Sequence, residues 1–184
     1  TLDTKIRPLE IFRNVVAFNQ VQAAEGNDTP ILYAPGILEI DSELVLVNNT
    51  LHENRGGNQG QFGGGLHGEA GLFASPRIAN NIFTNNDGFG LYLSNPVEDV
   101  IPSFNCFMSN VMGACGGDAA GGCGAGIGNI AVDPEYKDPT RCDKLGLRAS
   151  SPCIDAGDAS DSPCDERVDM GAIEYCVRSN ATQR

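Results

Sequence analysis

The stretch Asn81-Ile-Phe-Thr-Asn-Asn86 decides the fold, because its six-residue frame occurs four times: here and as Asn14-Val-Val-Ala-Phe-Asn19, Asn49-Thr-Leu-His-Glu-Asn54 and Asn105-Cys-Phe-Met-Ser-Asn110. The starts lie 35, 32 and 24 residues apart. The third position is always large and apolar (Val16, Leu51, Phe83, Phe107), and the fourth and fifth are mixed or polar. That suits a short strand with one buried face. A second frame falls between these: Gly36-Ile-Leu-Glu-Ile40, Gly71-Leu-Phe-Ala-Ser75 and Gly90-Leu-Tyr-Leu-Ser94, with a looser echo at Gly126-Ile-Gly-Asn-Ile130. Each period therefore carries at least two short strands separated by turns.

Strands that recur at this period, with no 3.6-residue pattern between them, imply a coil that stacks on its predecessor. The expected fold is all-β, a parallel β-helix, right-handed by the usual crossover rule. Equivalent residues of successive coils then form columns about 4.8 Å apart. Val16/Leu51/Phe83/Phe107 and Ile37/Leu72/Leu91 are the expected interior columns. The frame-end Asn residues are expected to form ladders at the turns, where amide side chains bond to backbone and to each other, so they are poor candidates for catalysis. A β-sandwich fits less well, since the columns imply parallel, in-register stacking. A leucine-rich repeat lacks its Leu spacing. By this reading residues 1–125 are coils continuing from a missing N-terminal part, 126–176 a loop-rich C-terminal cap stapled by disulfides, and 177–184 a tail.

The whole chain has 184 residues and 19.4 kDa, enough for a real core in one domain or in a piece of a longer one. Its 12 Lys+Arg against 24 Asp+Glu leave a formal charge of -12, which opposes a sequence-independent grip on nucleic acid or anionic lipid. No apolar run reaches the roughly 18 to 20 residues that span a bilayer, so no membrane insertion is expected; a secretory leader would lie upstream of Thr1.

Seven Cys stand at 106, 115, 123, 142, 153, 164 and 176. Their spacing and the distant His residues do not suit zinc. Sequence-local pairs Cys115–Cys123, Cys142–Cys153 and Cys164–Cys176 would staple Gly- and Asp-rich segments, with Cys106 left over as a small buried hydrophobe; other pairings stay open. Such usage favours an oxidising, extracytoplasmic home.

The tail carries Gly128-Asn-Ile130, Asp133-Pro134, then Leu147-Arg-Ala-Ser-Ser-Pro152-Cys-Ile-Asp-Ala-Gly157-Asp158, then Asp169-Met-Gly-Ala-Ile-Glu-Tyr175. Over residues 126 to 176 it resembles the C-terminal region of secreted bacterial right-handed parallel β-helix proteins of the pectate-lyase-like superfamily, including choice-of-anchor Q proteins. The aromatic of that family's "DP.F" turn is Tyr136 here. The resemblance implies fold and secretion. It also implies where chemistry is sought, because polysaccharide lyases on this fold use a Lys or Arg base with acids that hold calcium, and the hydrolases use clustered Asp.

On outward strand positions, His52, Glu53 and Arg55, together with His67 and Glu69, are the expected acid/base and clamp residues of any catalytic site. No Lys occurs between Lys5 and Lys137, which removes the commonest lyase base from the middle coils. Phe73 and Tyr92 are expected to point outward as a platform for sugar rings, beside Asp87 in its Asn-Asp-Gly turn. Asp155, Asp158, Asp161, Asp165 and Glu166 are close enough in sequence to repel one another, and calcium would neutralise them, although they do not follow the EF-hand frame and Asx-turns and solvation explain isolated Asp equally well. The Gly-rich stretch from Gly113 to Gly128 lacks the Lys-Ser/Thr of a phosphate-binding loop and reads as a Cys115/Cys123-closed loop.

The expectation is a secreted or cell-surface β-helix domain that recognises a glycan or a surface protein without chemistry. The rivals are a polysaccharide lyase or glycoside hydrolase, and a structural segment of a surface appendage whose first coil stacks on another chain.

Overall fold

The structure, a computed structural model, describes residues 8–21, 36–40, 44–56, 63–69, 76–94, 100–118, 120–161 and 168–175. The chain winds as a parallel β-helix of three faces. Each full coil contributes three strands: β1 (Leu9–Phe12), β2 (Val15–Ala17) and β3 (Ile37–Ile40); then β4 (Leu44–Val47), β5 (Thr50–His52) and β6 (Gly63–Glu69); then β7 (Arg77–Ala79), β8 (Ile82–Thr84) and β9 (Phe89–Ser94). A fourth coil holds β10 (Cys106–Met108) and β11 (Gly113–Gly117), its first face reduced to a bridge between Ala79 and Ser103. The sheets run β1-β4-β7, β2-β5-β8-β10 and β3-β6-β9-β11, with every pairing parallel. A short helix, α1 (Ala120–Ala125), follows β11 and is tied to it by the Cys115–Cys123 disulfide. Among the described residues no helix is long and apolar enough to cross a membrane.

The register follows the hydrophobic pattern. Val16, Leu51, Phe83 and Phe107 stack in one interior column, as expected, and the Phe83 and Phe107 rings lie nearly parallel with centroids 5.1 Å apart. The second interior column is Ile37/Leu66/Leu91/Cys115, with Leu66 in the place the sequence reading assigns to Leu72. Residues 70–75, with Leu72 and Phe73, lie outside the described residues. Backbone contact explains the substitution: a Cβ on Gly65 would stand 2.4 Å from the Gly90 carbonyl oxygen, and one on Gly64 would stand 1.6 Å from that of Asp87. The Gly-rich run before Leu66 lets the chain approach its neighbour this closely. A third column, Ile11/Leu46/Ile78, belongs to the face that the two repeat frames do not reveal.

Two continuous asparagine ladders hold the corners on either side of β2, β5, β8 and β10. One runs Asn14-Asn49-Asn81-Asn105-Asn129 and the other Asn19-Asn54-Asn86-Asn110. Beyond the first Asn of each ladder, each Oδ1 takes the backbone N–H and the side-chain amide of the Asn one coil earlier; Asn81 Oδ1 lies 2.8 Å from Asn49 N and 3.1 Å from Asn49 Nδ2. Asn81 in turn donates to Leu46 O and Ala79 O, both at 2.9 Å. The residue before each ladder Asn sits in the left-handed region: Arg13, Phe18, Asn48, Glu53, Asn80, Asn85, Phe104 and Ser109, and Gly128 before Asn129. That conformation costs a non-glycine residue roughly 1 to 2 kcal/mol, and the fully satisfied amide network offsets it.

Replacing Asn81 by Ala leaves buried donors and acceptors of two coils unpaired at once, so it should lower unfolding stability by about 3 kcal/mol or more. Asn14, at the exposed end of the same ladder, should cost about 1 kcal/mol. Urea unfolding of the two variants checks the difference; equal losses would mean that the ladder does not hold the centre of the stack.

Candidate functional site

After Asn129 the chain leaves the solenoid and folds back along the outer face of β2-β5-β8-β10. Tyr136 meets Thr84, Asp158 N donates to Asn80 Oδ1, Ala172 N donates to Thr50 Oγ1, and Asn48 Nδ2 donates to Asp169 O. Arg13 of the first described coil pairs with Glu174 at 3.8 Å. This arm creates a second core outside the coils, in which Ile82 and Cys106 pack against Tyr136, Leu145, Leu147, Cys153 and Met170. The tail motif that carries the family resemblance is the arm's fastening. Asp169 accepts the N–H groups of Asp155 and Tyr175, and Gly171, with φ of 98°, fits where a Cβ would meet Ile82 Cδ1 at 2.8 Å.

The arm changes the reading of the expected catalytic residues. His52 does point away from the coil interior, but the face it points to is covered and the side chain is fully buried. Its ring lies between Phe18 and Tyr136, edge-on, with centroids 5.5 and 5.1 Å away. Nε2 is 2.9 Å from the Pro139 carbonyl, which can only accept, so a neutral His52 carries its proton there. Nδ1 must then accept from Thr84 Oγ1 at 2.7 Å, and Thr84 Oγ1 accepts from Tyr136 Oη at 3.1 Å. Burial lowers the His52 pKa against the opposing Pro139 bond, and it raises the Tyr136 pKa well above the usual phenol value. Both groups are neutral at pH 7 and serve as a hydrogen-bonded clasp between arm and solenoid.

The remaining candidates separate. Glu53 and Arg55 stay beside His52, with Arg55 Nη2 3.2 Å from Glu53 and Arg55 largely exposed. His67 belongs to the same coil but to a different face, on β6, where it is buried rather than solvated and its ring lies 5.1 Å from that of Tyr92. Glu69 ends that strand. The candidates thus lie on two faces, His52, Glu53 and Arg55 on one and His67 and Glu69 on another, because β5 and β6 belong to different sheets. Tyr92 points outward as expected, its ring 6.0 Å from Phe89. Asp87 accepts the Gly56 N–H at 3.0 Å. Among the acidic candidates, Asp155 is exposed and Asp158 accepts the Ser160 N–H; the Asp161 side chain, Asp165 and Glu166 lie outside what the structure describes. No group of three metal-competent side chains occurs among the described residues.

Of the expected disulfides, Cys115–Cys123 is formed. Cys142 and Cys153 are not joined: Cys142 is exposed on a 3-10 turn, Cys142–Lys144, while Cys153 is buried against the solenoid. Cys106 is buried as expected, but next to Cys153 rather than alone. Cys164 and Cys176 lie outside the described residues.

Where the arm crosses the turns of the third and fourth coils it leaves a cleft of about 270 Å³. Thr84, Asn85, Met108 and Ser109 form its floor, and Asp133, Glu135, Tyr136, Pro139 and Arg148 its arm side. Asn85 and Ser109 are the left-handed residues that precede ladder Asn86 and Asn110, so the floor is fixed by the ladder. On the other side Asp133 Oδ1 accepts Glu135 N at 2.8 Å, the Glu135 carboxylate accepts the Ser150 hydroxyl, and Arg148 reaches the Lys137 carbonyl at 3.4 Å. None of these residues was singled out from sequence as a site. The available signal was their position, polar residues immediately before ladder Asn and the Asp-Pro turn of the tail.

Fold and site together define a parallel β-solenoid with a C-terminal arm laid along one face and a small polar cleft beneath it. Neither protein-family models, nor curated proteins, nor solved structures yield a match to this chain.

Since His52 has a native pKa below 6.5, it is neutral when folded and charges when unfolded. Its contribution to stability is full above pH 6.5 and is lost as pH falls from there towards the depressed native value. Asp169 and Glu174, raised chiefly by burial, act oppositely in the acid range: the folded state holds their protons more tightly, so their contribution grows as pH falls. The difference in melting temperature between the wild type and His52→Gln should therefore shrink as pH drops from 7.5 to 5; a constant difference would mean that the His52 ring is not buried neutral.

Proposed function

We propose that this chain is an extracytoplasmic recognition module that binds a neutral glycan in the cleft between arm and solenoid, without chemistry. The observation that supports it is the cleft lining. Carboxylates of Asp133 and Glu135, the Arg148 guanidinium, the Asn85 amide and the Ser109 hydroxyl supply paired donors and acceptors for sugar hydroxyls. Met108, Tyr136 and Pro139 supply the apolar surface that a pyranose face needs. Two carboxylates against one guanidinium, on a chain of net charge -12, disfavour polyuronates and nucleic acid as ligands. The clasp of His52, Thr84 and Tyr136 supports binding over acid/base work, because its titratable groups are buried and already bonded to each other. The Cys115–Cys123 disulfide supports an oxidising compartment, and so does the likeness of the tail to secreted pectate-lyase-like β-helix proteins.

One observation favours a rival reading, a glycoside hydrolase: Asp133 and Glu135 line the same cleft, and such enzymes act with two carboxyl groups across the scissile bond. A panel of neutral oligosaccharides distinguishes the two. Binding without new reducing ends supports recognition, and product formation that Glu135→Gln abolishes would replace it with hydrolysis. For the glycan that binds, Arg148→Ala should weaken affinity by roughly tenfold to a hundredfold through loss of charge-assisted hydrogen bonds. Calorimetric affinity unchanged in both Arg148→Ala and Asp133→Asn would remove the cleft as the binding site.

A further inference from the structure

We propose that Cys106 and Cys153 close a second disulfide, which pins the C-terminal arm covalently to the solenoid. Two independent sets of contacts bring these sulfurs together. Cys106 is placed by the β8–β10 register, which pairs it with Ile82 and sends Phe107 inward, so that its own side chain faces the arm. Cys153 is placed by the arm: Met170 N donates to Cys153 O at 3.0 Å, Cys153 N donates to Ser151 Oγ at 3.1 Å, and Gly171 N donates to Asn80 O at 2.7 Å. Both residues are fully buried in the same core cluster between arm and sheet, where the two side chains lie against each other and the Cys106 thiol also donates to the Val132 carbonyl at 3.3 Å. Cys142 is exposed on its 3-10 turn and outside that core.

The bond forms by exchange with an external disulfide. One cysteine thiolate displaces a thiolate from that reagent to give a mixed disulfide, and the second then displaces the other thiolate. Two S–H bonds break, one S–S bond forms, and the external disulfide carries off two electrons and two protons as two thiols. Either sulfur can attack first, since the two thiols are equivalent partners in the exchange. Neither thiol reaches solvent once the arm is docked, so exchange belongs to folding or to an opened arm. The loop it closes is far longer than the separation of 8 residues in Cys115–Cys123, and constrains the unfolded chain more strongly. It also ties down the segment that forms one side of the cleft, although the inference stands whether or not that cleft binds a glycan.

Protein refolded with oxidised and reduced glutathione, unfolded in alkylating reagent and digested without reductant, tests the proposal by peptide mass mapping. The expected result is a Cys106–Cys153 linked peptide with Cys142 alkylated, in a sample whose Cys115–Cys123 bond reports complete oxidation. Alkylated Cys106 and Cys153 in that same sample, or a Cys142–Cys153 linked peptide, would overturn it. A second readout separates the two pairings. Cys153→Ser should lower the melting temperature of the oxidised protein by roughly 5 to 15 °C, whereas Cys142→Ser should leave it unchanged; equal losses would overturn the proposal.

Discussion

The asparagine amide at each turn is the constraint on which the rest depends. A coil that must turn a corner in one residue uses the left-handed backbone region here, and at eight of these corners the chain places a non-glycine residue there. It does so because the next residue is an Asn whose side chain repairs what the turn leaves open. Its oxygen takes an N–H from the coil before, and its amide caps carbonyls that the bend has pulled out of the strand ladder. Each Asn both gives to and receives from its neighbours, so the corner is defined only when coils stack in register. The ladder converts a local conformational cost into cooperativity along the axis.

Strand polarity and solvent exposure come apart in this protein. An alternating strand gives each residue a side, inward or outward, but what lies beyond the outward side is decided by chain that is distant in sequence. For β5 and β8 that chain is the arm, and Thr50, His52, Ile82 and Thr84 become buried without changing direction. The polar ones are kept by complementary partners: Thr50 by a backbone N–H, His52 by a hydroxyl and a carbonyl. A histidine on the outward side of a strand is therefore as compatible with a structural clasp as with catalysis. Here the hydrogen-bond directions, fixed by the Pro139 carbonyl, form such a clasp.

The same distinction marks how far the sequence could be read. The stacked column of Val16, Leu51, Phe83 and Phe107 was legible because Asn marked both ends of its frame and the corner chemistry admits little else. The second column was legible only in kind. Gly71-Leu72 imitates the pattern as well as Gly65-Leu66 does, and the fit of Gly64 and Gly65 against the neighbouring coil is a tertiary contact that no local spacing announces. The first face of each coil carries no corner Asn frame of its own, so β1, β4 and β7 left no repeat to find. The burial of His52 and the Cys106–Cys153 contact depend on the arm's path, which no local spacing encodes. The cleft is a product of the same path: its floor comes from coils three and four and its other side from residues 133–148.

That origin bears on what the cleft can do. Asn85 and Ser109 present side chains from backbone that the ladder holds at two successive coils, so their spacing is set by the coil repeat and not by loop flexibility. The arm side is held by a different network, the Asp133 turn below it and the Tyr136–Thr84–His52 chain behind it. Under the proposed recognition role, a ligand between them would touch two preorganised surfaces and lose little to their ordering, the condition under which a small polar cleft gains affinity from few contacts. Anything that loosens the arm would relax one surface and leave the other intact. The shape of the cleft is then coupled to the docking of a segment whose fastenings, from Arg13–Glu174 to Asp158–Asn80, extend well beyond the cleft itself.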